Sequence, residues 1–216
     1  MISIKGGSWI SSCGYGLLNK GQKPVFKSGI PVRLSREELS MELPSRHGRF
    51  DAYTKLGFDA VSLALKDAGH DEKKLCGIVV STKHGSMAND IEYYKTTLYD
   101  GGFTASPNLF SYTLPGTVLG ECAVHFKFRG ATFTVGENGD KGLAALDVAC
   151  NLLNASVLNR VITGWLDSFD DTDSGAAFVV LEKSPAQGKV IRYDGNKIIM
   201  GNGEIKSILD LFETEQ

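Results

Sequence analysis

The sequence predicts an α/β fold, and three observations carry that prediction. Short continuous apolar runs, such as Cys-Gly-Ile-Val-Val-Ser at 76–81, are of the type found in strands covered on both faces. Residues 49–68 carry Phe50, Tyr53, Leu56, Gly57, Ala60, Val61, Ala64, Leu65 and Ala68 at spacings of three and four, the amphipathic helical period. Signals of these two kinds alternate along the 216 residues, the order that layers helices on a sheet.

Residues 1–4 start the first strand, and Gly6-Gly7 with Cys13-Gly14-Tyr15-Gly16 read as a flexible loop after it. Residues 22–45, with Pro24, Pro31 and Pro44, form the least regular stretch and read as a surface excursion within a single domain spanning 1–216. The helix over 49–68 is placed to stop at Gly69. The run at 76–81 suggests a central parallel strand. Residues 90–98 are compatible with a helix, whereas Gly101-Gly102 and Ser106-Pro107 mark a loop. A second small-residue helix covers 117–126 and is closed by Arg129-Gly130. Residues 160–165 and 176–181 read as strands, and 189–192 with 197–200 form a terminal hairpin about Asp194-Gly195.

Between the second helix and the strand at 160–165 lies the most informative segment, Phe-Thr-Val-Gly-Glu-Asn-Gly-Asp-Lys-Gly-Leu-Ala-Ala-Leu at 133–146. Phe133, Thr134 and Val135 favour extended backbone, three glycines within seven residues permit a tight turn, and 143–153 is rich in helix formers. A strand that turns sharply into a helix displays one side chain at the helix N-terminus, where unpaired N–H groups and the dipole stabilise a thiolate. The candidates displayed here are Glu137, Asn138 and Asp140, none of them a thiol.

Composition excludes several function classes. With 42% hydrophobic and 9% aromatic residues the chain can bury a core. A formal net charge of -2 and the absence of a basic run argue against nucleic acid or an anionic membrane as partner. No apolar run reaches membrane-spanning length, and the opening Met-Ile-Ser-Ile-Lys-Gly-Gly lacks the pattern of a signal peptide, so a cytoplasmic protein is expected. Cys13, Cys76, Cys122 and Cys150 lie far apart without a Cys-x-x-Cys pair and are expected to be reduced and mostly buried; neither a metal nor a cofactor is called for.

A collinear set of motifs runs along the chain. It comprises Ile-Ser-Ile-Lys-Gly-Gly-Ser at 2–8, Arg-Phe-Asp-Ala-Tyr-Thr-Lys at 49–55, Ala-Leu-Lys-Asp-Ala-Gly at 64–69 and Gly-Ile-Val-Val-Ser-Thr at 77–82. It continues through Ser-Pro-Asn-Leu-Phe at 106–110, the helix at 116–126, Phe-Arg-Gly-Ala-Thr-Phe-Thr-Val at 128–135, Arg-Val-Ile-Thr-Gly-Trp-Leu-Asp at 160–167 and Gly-Ala-Ala-Phe-Val-Val-Leu-Glu at 175–182. In this order the motifs resemble the N-terminal half of the β-ketoacyl synthases, and the resemblance implies a thiolase-like half, a mixed and mostly parallel five-stranded sheet with helices on both faces.

Three departures from the family pattern bear on function. The family's cysteine falls at Asn138 counting forward from Val135 and at Gly139 counting back from Leu143, and neither residue can form the acyl thioester of covalent condensation. Cys150 lies about three helical turns beyond the elbow. The family's two histidines belong to a C-terminal half, whereas His47, His70, His84 and His125 all lie in the N-terminal half. The segment between Asp167 and Gly175 is short where the family carries a long insertion that shapes its acyl pocket.

Relatives called chain-length factors lack the nucleophile, pair with an active ketosynthase and help shape the cavity that measures the growing chain. The resemblance therefore implies a catalytically degenerate subunit of fatty-acid or polyketide-type biosynthesis. Its partners would be a ketosynthase in a heterodimer or a second copy in a homodimer, with acyl carrier protein as a further candidate, and the strand before the elbow would lie at the interface. Two alternatives are an acyl-thioester-binding homodimeric module and a malonyl-thioester decarboxylase in which Asn138 hydrogen-bonds the developing enolate.

Other residues have plainer readings. His84, after the buried strand, could sit at the carboxyl end of the sheet where ligands bind, but no Ser, Cys or paired acid stands beside it in sequence and a loop histidine is the simpler reading. His125 reads as packed or surface-exposed. Asp167, Asp170, Asp171 and Asp173 lack the glycine and glutamate of a calcium loop and read as a solvated loop. Residues 136–142 do not match a phosphate-binding loop. Trp9 and Trp165 read as core or interface.

Overall fold

The computed structural model describes residues 1–69, 75–183, 189–195 and 197–213. In chain order the elements are β1 (Ile2–Ser11), β2 (Gly14–Leu17), α1 (Arg36–Leu39), α2 (Ala52–Ala68), β3 (Cys76–Thr82), α3 (Met87–Thr97), α4 (Pro107–Phe110) and α5 (Thr117–Phe126). They continue with β4 (Thr132–Gly136), α6 (Leu143–Asn154), β5 (Arg160–Asp167), β6 (Gly175–Lys183), β7 (Val190–Tyr193), β8 (Ile198–Met200), β9 (Gly203–Glu204) and α7 (Asp210–Glu213).

The strands form one sheet in the order β4-β3-β5-β6-β1-β7-β8-β9, with β2 paired to β1. β3 runs parallel to β4 and β5, and β6 runs antiparallel to both β5 and β1. Of the five long central strands, β4, β3, β5 and β1 therefore point one way and β6 alone opposes them, the mixed and mostly parallel arrangement expected. Four shorter strands, β2, β7, β8 and β9, widen the sheet beyond the expected five.

Both faces of the centre are covered, which is why its strands read as unbroken apolar runs. Ile78, Val80, Ile162, Phe178 and Val180 pack with Phe58 of α2 and Leu119 of α5 on one face. Val79, Val161, Trp165, Val179 and Leu181 pack with Leu146, Ala149 and Leu153 of α6 on the other. α2 starts where the Asp51 carboxylate accepts the Thr54 N–H at 3.0 Å, and it ends at Gly69 with φ 74.

Three expectations are corrected. Gly6 and Gly7 lie inside β1, and Gly14 to Leu17 form β2, so this region is paired sheet and not loop. A Cβ on Gly6 would lie 2.5 Å from the Ala68 backbone N, so glycine here permits close packing of β1 on the end of α2. Ser106-Pro107 begins a helix: the Ser106 hydroxyl accepts the Leu109 N–H at 3.3 Å and Pro107 opens α4, where a missing N–H is harmless. The excursion at 22–45 is largely irregular as expected, but it contains α1, capped reciprocally by Ser35 and Glu38.

The terminal hairpin forms about Asp194-Gly195 as expected, and β7 adds to the start of β1 through the pair Ile2 and Ile191. Ile198, Ile205, Ile208, Leu211 and Phe212 complete the core on the α6 face.

Gly6→Ala is expected to lower stability by about 2–3 kcal/mol, because the obstruction is backbone that cannot rotate away. Gly136→Ala, whose Cβ would meet nothing within 4 Å, should stay within about 0.5 kcal/mol. Urea denaturation of the two variants checks the contrast.

Candidate functional site

Parallel pairing aligns Thr82 with Gly136 and Ser81 with Trp165, so the carboxyl ends of β3, β4 and β5 lie side by side. In open α/β sheets this edge is where ligands bind. The turn from β4 into α6 rises from it. Gly139 and Gly142 have φ of 99 and 95, and Lys141 has φ 40, the left-handed region that non-glycine residues rarely adopt.

Asn138, Gly139 and Asp140 stand exposed at the tip of this turn. Glu137, expected to be displayed with them, is instead buried. Its Oε2 accepts the Ser81 hydroxyl at 2.6 Å and the Gly142 N–H at 2.7 Å, while its own N–H donates to the Thr82 carbonyl at 3.1 Å. Side chains alternate along a strand, and Glu137 is the first residue past β4, so it turns inward where its neighbours turn out. Burial, and then the neighbouring Asp140 charge, raise its carboxyl above the ordinary 4.5, outweighing the hydrogen bonds that favour the carboxylate.

That direction has a pH consequence. The native state holds the Glu137 proton more tightly than the unfolded chain, so this group's contribution to stability is fully present below about pH 4.5 and is lost as pH rises through the native pKa. Glu137→Gln is expected to be more stable than the parent at neutral pH, and the advantage should vanish below about pH 4. Thermal melts at matched pH values measure it.

A second buried carboxylate organises the neighbouring strand ends. Asp167 is 1% exposed and accepts from Thr82 Oγ1 at 2.8 Å, the Lys83 N–H at 3.1 Å, the His84 N–H at 2.9 Å and Trp165 Nε1 at 2.8 Å. This corrects the reading of Asp167 as part of a solvated loop and of His84 as a loop histidine without an acidic partner. His84 Nδ1 lies 3.8 Å from Asp167 Oδ1, and its ring stacks on Phe169 at 4.7 Å. The remaining acids follow the plainer reading. Asp170 caps its own turn, accepting the N–H groups of Thr172 and Asp173 at 2.9 and 3.0 Å.

Asp173 draws two ammonium groups together, Lys83 at 3.5 Å and Lys141 at 3.6 Å. Lys141 also lies over the Trp165 ring at 4.7 Å and the Phe26 ring at 5.5 Å, a pair of cation–π contacts. Trp9 and Trp165 are both buried, and Phe26 from the 22–45 excursion packs against each.

The Ser81 hydroxyl donates to Glu137 and faces no histidine at hydrogen-bonding distance among the described residues. Cys76 and Cys150 are buried with thiols pushed up to about 12, and burial pushes Cys122 up as well, so none is a thiolate at neutral pH. Cys13 is the exposed one.

The other histidines lie elsewhere. His47 bonds Asp59 at 2.7 Å in the layer of α2, His125 packs edge-on against Phe58 at 5.3 Å, and His70 lies outside the described residues. Among the described residues no group of three or more His, Cys, Asp or Glu side chains could hold a metal ion, and no helix is long and apolar enough to cross a membrane.

Asp167 was within reach of sequence reasoning, because a charged residue closing an apolar strand must find partners. Nothing local in the sequence marks Glu137 as the buried member of a turn that also holds Asn138 and Asp140.

Comparison with known proteins agrees with the fold. The family model for the β-ketoacyl synthase N-terminal domain matches residues 34–183. The non-reducing polyketide synthase aptA of Emericella nidulans is 37% identical over 120 residues, 53% of this chain and 7% of that protein, so the chain spans a small fraction of this curated relative. The solved ishigamide ketosynthase/chain length factor shares the fold at a TM-score of 0.68 and 18% identity, over 85% of this chain and 62% of that one. The ketosynthase ApeO in complex with its chain length factor ApeC from Xenorhabdus doucetiae matches at a TM-score of 0.56 and 15% identity, over 88% of this chain and 82% of that one.

Proposed function

The chain belongs to the β-ketoacyl synthase N-terminal domain family, and from that membership we propose that it is a catalytically degenerate subunit that pairs with an active ketosynthase in polyketide- or fatty-acid-type biosynthesis. The observation that carries the reading is a concentration of exposed apolar side chains in the segment that leads to an elbow without a thiol. Of the fifteen exposed large hydrophobic residues identified among the described residues, ten fall between Met87 and Phe133. They include Met87, Ile91 and Tyr94 at helical spacing along α3 with Leu98 just past its end, Phe103 at 96% exposure and Val124 at 76%.

Exposed apolar side chains concentrated in one segment support a protein interface. β4 adds to it. The strand ends the sheet, pairs with β3 alone, and leaves its other edge without a partner among the described residues, a template for pairing with a second chain. A ketosynthase is the proposed occupant because the solved relatives of the same fold include ketosynthase and chain-length-factor assemblies. With Asn138 and Gly139 at the positions equivalent to the nucleophile, the subunit would contribute cavity wall and not acyl chemistry.

The test is reconstitution with a full-length ketosynthase, acyl carrier protein and malonyl units. Adding this chain should change the length distribution of the products, and Asn138→Ala should leave that effect intact. Turnover of malonyl thioester by the chain alone, abolished by Asn138→Ala, would count against the reading and for a decarboxylase.

A further inference from the structure

The turn that leads into α6 is filled from within the chain. Gly142 stands immediately before α6, so its N–H belongs to the donors that a helix start leaves unpaired. Glu137 Oε2 takes that N–H at 2.7 Å together with the Ser81 hydroxyl at 2.6 Å. From the other side the turn is held by residues beyond the region that the family model matches. The Ile208 N–H and the Ser207 hydroxyl both donate to the Lys141 carbonyl, at 3.0 and 3.2 Å. Ile208 Cγ2 lies 2.8 Å from where a Cβ on Gly142 would stand, so the strap closes against bare backbone. Ile205, Ile208, Leu211 and Phe212 are buried, which anchors the strap in the core.

We infer that Glu137 is a positioning residue that closes the elbow: its carboxyl group fills the place an anionic or thiolate group would take at the start of α6, and the strap at 205–212 fixes the turn around it. The loss of acyl chemistry is then more than the loss of one thiol. A cysteine restored at the elbow would find the Gly142 donor already taken and would lack the stabilisation that acidifies a thiol at a helix start. The inference deepens the proposed reading and rests on it only for treating Asn138 and Gly139 as equivalent to a nucleophile position.

The experiment installs Asn138→Cys in a Cys13→Ser background and follows alkylation by iodoacetamide against pH, with Glu137 intact, with Glu137→Gln and with Glu137→Ala. With Glu137 intact the new thiol should titrate at or above the ordinary value of about 8.5, and Glu137→Gln, which keeps the acceptor, should leave it there. Glu137→Ala should lower it by about one unit and speed alkylation at pH 7 roughly tenfold. Amide hydrogen exchange on the unmodified chain gives a readout independent of folding by the variants, with Gly142 slowed at least about 100-fold relative to Asn138. A thiol titrating below about 7 with Glu137 in place, no lowering in Glu137→Ala, or a Gly142 amide exchanging as fast as that of Asn138 overturns the inference. All these readouts use the chain without a partner, so failure to bind a ketosynthase leaves them unaffected.

Discussion

Asp167→Ala is expected to lower the stability of the fold by about 4 kcal/mol, or about 10 °C in melting temperature for a chain of this size. Four donors converge on this carboxylate: a hydroxyl, two backbone N–H groups and an indole N–H, from Thr82, Lys83, His84 and Trp165. Each buried donor left without an acceptor costs about 1–3 kcal/mol, and the total falls below their sum because water enters the space that alanine leaves. Asp167→Asn keeps the shape but has one acceptor oxygen for this set of donors, so it should cost about 2 kcal/mol. The damage is also local. Thr82 Oγ1 accepts the Gly85 N–H at 2.7 Å, so losing Asp167 frees the turn that leads from β3 towards α3. Urea denaturation gives the magnitude, and amide exchange should show residues 82–86 losing protection first. A loss below about 1 kcal/mol would mean that the strand ends are held by other contacts.

Phe103→Asp combined with Val124→Asp is expected to weaken association with a ketosynthase by at least about 100-fold, or roughly 3 kcal/mol. Both side chains are largely exposed, so the double variant should melt within about 2 °C of the parent. The combination of a large binding defect and an unchanged fold separates an interface from a core. Two residues suffice because burying an uncompensated carboxylate in an apolar interface adds a desolvation penalty to the lost contact.

The sequence carried the central strands and long helices because each repeats one physical signal several times. Cys76 to Val80 is apolar on both faces, and α2 keeps its three-and-four spacing over four turns. Single glycines were less legible. Gly6 and Gly7 carry the signature of a turn, yet Gly6 serves a close approach of β1 to the end of α2, some sixty positions away, and Gly7 a close approach to Phe178 and Phe212. Ser106-Pro107 illustrates the same ambiguity, since the residues that break a helix interior also begin one.

At the elbow, an exposed tip at Asn138 and Gly139 was legible from the three glycines of the turn. The inward turn of Glu137 and the strap at Ser207 and Ile208 were not, because they depend on tertiary hydrogen bonds, from Ser81 to Glu137 and from the strap to Lys141, that no local pattern encodes. His84 shows how sequence proximity misleads. Its acidic partner, Asp167, lies 83 residues away and arrives through the parallel pairing of β3 with β5.

The most direct measurement of the central claim is light scattering during gel filtration of the chain alone and mixed with a full-length ketosynthase from its own gene neighbourhood. A complex whose mass is the sum of the two subunits is expected, abolished by the Phe103→Asp, Val124→Asp double variant. A species of 23.3 kDa both alone and in the mixture would contradict it.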